Sequence, residues 1–149
     1  MTEKTEKVQK LFVPKTPAET HVGAVGVWDK VKAGCEEIRE MFPYLPWRSE
    51  DVYSALRNNT ALLYTSPDGF AVCTIEMHPI SGERTFHCWI AYAYQRNLDM
   101  VGAHFDFFLS EAKRLECQKF GAKTPIKALG KKFEELNMNC DMIDYSIEV

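Results

Sequence analysis

Apolar positions along the chain repeat with two different spacings. Val27, Val31, Cys35, Ile38 and Phe42 recur every three or four residues, the spacing that puts side chains on one face of a helix. Pro43 ends that helix, because it lacks the N–H that the helical ladder needs. YLPW is a bend, and Ser49 is placed to cap a short helix to about Arg57, with Val52, Ala55 and Leu56 inward.

The period then changes. ALLYT (61–65), the turn SPDG, and FAVCTIEM (70–77) predict an antiparallel hairpin. PISGE (79–83) turns the chain again, and RTFHCWIAYAY (84–94) is the longest strand, rich enough in β-branched and aromatic residues for a place deep in the sheet. Strict alternation puts Cys88 on one strand face with Phe86, Ile90, Tyr92 and Tyr94. VQKLFV (8–13) predicts a first strand, joined to the first helix by a Pro/Thr-rich connection.

From Met100 the helical spacing returns. Val101, Phe105, Phe108, Ala112 and Leu115 predict one long helix, broadened by Phe107 and Leu109. KFGAK allows a short strand around 119–123. Thr124 as N-cap and Pro125 as first helical residue start a last helix. Ile126, Leu129, Phe133 and Leu136 form its inward stripe, and Asn137 closes it in the left-handed conformation. MIDYSIEV alternates as a terminal strand, with Ile143, Tyr145, Ile147 and Val149 on its inner face.

The order β-α-α-β-β-β-α-β-α-β predicts a single α/β (α+β) domain over residues 1–149, a mixed central sheet flanked by helices, frayed to about Val8. Neither GxGxxG nor GxxxxGK[ST] is present, which argues against a doubly wound nucleotide fold. With 18 basic and 21 acidic residues the formal charge is −3, which gives no basis for nucleic-acid binding. No apolar run approaches the roughly 20 residues that span a bilayer, and MTEKTEKVQK is too polar for a secretory signal. Five widely spaced cysteines without a CxxC pattern predict reduced thiols, a cytoplasmic setting and no metal site.

Several side chains are candidates for chemistry. Glu76 shares a face with Val72 and Thr74; buried there it is a general base with a raised pKa, and at the rim it is a solvated carboxylate. His87 on the neighbouring strand is either a base or a hydrogen-bonded sheet histidine. Cys88 reads as core. His104 flanks the buried stripe at the helix entrance. His78, before Pro79, belongs to a turn.

The segment WIAYAYQRNLDMVGAHFDFF (89–108) joins the long strand to the long helix. With TPIKALGKKFEELNM and the final alternating stretch, it resembles the GCN5-related N-acetyltransferase (GNAT) superfamily over nearly the whole chain. A weaker likeness, in overall texture, is to acetyltransferase-like proteins of tailed bacteriophages. The resemblance implies an acyl-CoA N-acyltransferase fold, acetyl-CoA as cofactor, and transfer of acetyl to a small-molecule or protein amine. It implies that the pantetheine arm pairs with a strand edge near Ile90 to Tyr92. The pyrophosphate then meets the helix entrance at Gly102 and Ala103, with Arg96 as a donor. The family loop reads Gln/Arg-x-x-Gly-x-Gly/Ala; aligned on its last glycine, this chain supplies Asn97, Met100 and Gly102. Phe133 stands where the family commonly has a proton-donating tyrosine. The resemblance also allows an inert structural or interaction protein, such as a virion component, in a host cytoplasm or virion and partnered by itself or other virion proteins. Such a descendant would fill the cleft with Trp89, Tyr92 or Met100.

Overall fold

The computed structural model describes residues 16–95, 98–142 and 144–149. Five strands lie side by side in chain order: β1 (Ala18–Glu19), β2 (Leu62–Ser66), β3 (Gly69–Met77), β4 (Arg84–Ala93) and β5 (Lys119–Ala122). β1 to β4 are antiparallel neighbours, so the predicted meander is present as β2, β3 and β4. β5 runs parallel to β4. A parallel neighbour requires a crossover, and α3 (Met100–Ala103) and α4 (Phe105–Arg114) supply it. Before the meander come α1 (Val27–Met41) and α2 (Ser49–Arg57); after β5 comes α5 (Lys127–Glu135).

Period-two alternation sorts the sheet's apolar residues into two cores. Leu63, Phe70, Val72 and Ile90 pack with Val31, Cys35, Val52 and Leu56 of α1 and α2. Tyr64, Ala71, Cys73, Phe86 and Cys88 pack on the other side with Phe108 and Ala112 of α4. α1 approaches closely because residue 34 is glycine. A Cβ there would lie 2.6 Å from Phe70 Cε1, against the ring that stacks on Tyr92 at 5.5 Å.

β4 does not alternate strictly. Val72 pairs with Ile90 but Cys73 pairs with Cys88, so Trp89 is one residue too many on β4. Such a bulge leaves one residue unpaired and bends the strand. Beyond it the faces exchange: Phe86 and Cys88 belong to the α4-side core, Ile90 and Tyr92 to the α1 side. The expected common face of Cys88 with Ile90 and Tyr92 is thereby corrected.

Other differences have local causes. The long helix breaks at His104, whose φ of −121° and ψ of 28° separate α3 from α4. Thr124 is not the N-cap of α5; its Oγ1 accepts from Ile126 N at 3.0 Å, and Ile126 takes the cap position, 38% exposed. Ser49 is the first residue of α2, not its cap, and Asp51 accepts from the Arg48 N–H instead. Asn137 is left-handed as expected, with φ 64°. Among the described residues no strand forms after α5, and Tyr145 is exposed, not inward. Alternation makes a strand only where an edge is there to pair with it. The predicted strand at 8–13 lies outside the described residues. The connection before α1 contains β1, too short for its pattern to show.

Candidate functional site

β4 and β5 pair from Thr85 and Lys119 to Cys88 and Ala122, and then part. β4 continues to Ala93 with β3 as its partner. Along residues 89–93, the side of β4 that faces away from β3 therefore meets no other strand among the described residues. Its N–H and C=O groups are available to an added extended segment. Small side chains line this half: Ala91 is exposed and Ala93 half-buried.

The larger side chains are held on the α1 side. Trp89 meets Trp47 edge-on, with ring centroids 5.9 Å apart. Trp47 belongs to the YLPW bend, which Arg39 holds by donating to the carbonyls of Leu45, at 3.1 Å, and Trp47. The Tyr92 hydroxyl donates to Glu37 of α1. That bond to a carboxylate, and then burial, push the phenol up to about 12. Ile90 is buried in the α1-side core, so a ligand would meet its backbone. Met100 is buried beside Gly69.

His87 sits at the base of the gap, one residue before the last β4–β5 pair. It is buried, and its ring lies over Gly121, whose missing Cβ would come 3.9 Å from Nδ1. Burial lowers its pKa, the Glu76 charge raises it, and Lys123 lowers it again. Glu76 pairs with Thr85 and so stands diagonal to His87 on the same face. It is exposed, not buried in the sheet. His78 caps its turn, with Nδ1 accepting from Ile80 N and Ser81 N, each at 3.2 Å.

At the far end of β4 stands a residue that the spacing of glycines did not reveal. Asp99 caps α3, its Oδ1 accepting from Val101 N at 3.1 Å. A Cβ at Gly102 would lie 2.7 Å from Asp99 Oδ2, so the space left by this glycine holds a carboxylate. The Ala103 N–H is bonded to Asp99 O at 2.8 Å, and Leu98 N–H to Gln95 O at 3.2 Å. These amides do not converge on one anion. Arg96, the proposed donor, lies outside the described residues. An aspartate directly before an apolar helical run is a common N-cap signal, and it could have marked Asp99 from sequence.

His104, at the α3–α4 break, is buried, and its Nε2 lies 3.9 Å from Asp68 Oδ2. Burial lowers its pKa while Asp68 raises it. Phe133 of α5 is half-buried against the α4-side core. Among the described residues no group of His, Cys, Asp and Glu could hold a metal ion, and no helix is long and apolar enough to cross a membrane.

No family model matches this chain, and no curated protein sequence does. Solved structures do match in fold. A ribosomal-protein-alanine N-acetyltransferase from Brucella melitensis biovar Abortus 2308 superposes with TM-score 0.68 at 14% identity, over 91% of this chain and 100% of that one. A probable acetyltransferase gives 0.69 at 12% identity, over 91% and 99%. A transcriptional regulator from Bacillus halodurans C-125 gives 0.65 at 9%, over 89% and 99%. The likeness, over nearly the full length of these structures, is one of fold: this chain shares a mixed sheet flanked by helices with solved acetyltransferase structures.

Proposed function

We propose that this chain binds acetyl-CoA along the open half of β4 and transfers the acetyl group to an amine, with donor affinity weakened at the phosphate end. The parting of β4 and β5 after Cys88 and Ala122 carries this reading. An unpaired strand edge suits an amide-bearing arm, which it can bind as it would an added strand. The junction fits the pyrophosphate less well, because Asp99 already occupies the Val101 amide and its charge repels phosphate.

Bound acetyl-CoA would supply an acyl group activated as a thioester. Backbone groups of residues 89–93 orient the arm. His87, kept neutral by burial, takes the proton of the incoming amine, and Glu76 favours the imidazolium so formed. Phe133 has no proton to give, so delivery of a proton to a leaving thiol would fall to solvent. Glu37, exposed beside Tyr92, suits a cationic amine, small molecule or protein, on the α1 side.

The Asp99 cap favours a second reading, a non-catalytic protein on the same fold whose partners are proteins or copies of itself. Calorimetric titration with acetyl-CoA separates the two. Saturable binding weaker than low-micromolar is expected. Low-micromolar affinity would defeat the weakened phosphate end, and no heat at millimolar ligand would sink the donor site itself.

A further inference from the structure

Cys73 and Cys88 are directly opposed on β3 and β4, immediately before the bulge. Opposed residues of antiparallel strands have Cα atoms about 4.5 or 5.5 Å apart, inside the roughly 4.4–6.8 Å that a disulfide spans. Both side chains point into the α4-side core, among Tyr64, Phe86 and Phe108. The neighbouring Cys88 thiol, with burial, holds Cys73 well above the ordinary thiol range. The Cys88 sulfur also lies 3.7 Å from Ile90 O. Both thiols are free. Cys35 lies in the opposite core, and Cys117 at the margin of this one.

Two facts separate this pair from ordinary core cysteines. They already meet face to face, and Cys88 is the last β4 residue paired with β5. We infer that Cys73 and Cys88 form an oxidisable pair, closing to a cross-strand disulfide when a hydroperoxide reaches Cys88 through the gap where β4 and β5 part. In the first step the Cys88 sulfur attacks the peroxide O–O bond, becomes a sulfenic acid and releases an alcohol or water. In the second the Cys73 thiol attacks that sulfur, the S–S bond forms and water leaves. Two thiols are oxidised and one peroxide is reduced. Burial makes the reaction slow, and the partner directly across the strand pair makes it intramolecular. The bond would lock β3 to β4 beside the bulge, at the mouth of the open half.

The test treats the reduced full chain with hydrogen peroxide under native conditions. A Cys117→Ser/Cys140→Ser variant removes two of the five thiols, both outside the fully buried set. Expected is loss of two of its remaining three thiols, restored by dithiothreitol. Arg84 lies between the pair, so trypsin yields two peptides, joined through residues 73 and 88 when oxidised. The wild-type chain should show the same joined peptides, which keeps the test independent of how the variant folds. Retention of all thiols, a bridge from Cys88 to Cys35 or Cys117, or a sulfinic acid at Cys88 beside free Cys73 would each overturn the inference. Cys73→Ser should abolish the bridge.

Discussion

The two halves of β4 belong to one strand and differ in what surrounds them. Residues 85–88 lie between β3 and β5, while residues 89–93 have, among the described residues, β3 alone. Below the bulge, Phe86 and Cys88 are buried against α4, where Phe108 stacks on Phe120 of β5 at 5.7 Å and an interplanar angle of 2°. Above it, the large side chains turn to α1 and leave alanines on the other face. The closed half is a cross-strand core. The open half is an edge held still by α1 and by the Trp47 bend. Edges are normally shielded against stray pairing, and the proposed donor site rests on this contrast between the two halves.

Removing the support of the closed half should have the largest effect. Phe108→Ala empties a fully buried ring site and should destabilise the chain by about 3–5 kcal/mol, read from urea unfolding. A loss under about 1 kcal/mol would mean that the β5 side is not a packed core.

The boundary between the halves comes next. His87→Gln should cut acetyl transfer at least about a hundredfold while leaving the unfolding midpoint nearly unchanged. An unaltered rate would remove His87 from the chemistry and leave it as a sheet histidine.

At the far end of the open half, Asp99→Asn keeps a capping side chain and removes its charge. Acetyl-CoA affinity should rise about tenfold, equivalent to about 1.4 kcal/mol. No change would show that the carboxylate does not face the donor.

The smallest effect is on pH dependence. Burial holds both His87 and His104 below the ordinary value of 6.5. As pH falls below that value the unfolded chain takes up protons before the folded chain does. The stability they contribute is therefore complete above 6.5 and declines as pH falls through their lower folded values. Glu76 and Asp68 oppose the decline; Lys123 adds to it at His87. His104→Gln should flatten the fall in unfolding midpoint between about pH 7 and pH 5. An unchanged slope would mean that His104 is not a buried neutral group.

Much of the fold could be read from spacing. The stripe of α1, the meander and the short β5 follow from periods of 3.6 and 2, which local geometry imposes on any chain. Left-handed Asn137 follows from a short polar side chain that tolerates positive φ. The misses lie where a partner decides. The terminal alternation found no edge, and the single helical stripe across His104 hid a break, because periodicity reports faces and not continuity. In the candidate site, the long strand that carries His87 was legible. The exposure of Glu76 and the placing of Asp99 under Gly102 were not, since both depend on which neighbours arrive.

The sequence by itself determined α1, α2, the meander, β5 and α5 in their order, and the apolar face of most of them, because these are set by dihedral geometry and by the exclusion of apolar surface from water. Only the tertiary structure decided that Trp89 is left over between Val72 and Cys73. That one residue exchanges the faces of β4. It brings Cys88 to Cys73 while sending Ile90 and Tyr92 to α1, and it lies where β5 departs. A bulge is a mismatch between two strands, so no single strand's pattern contains it.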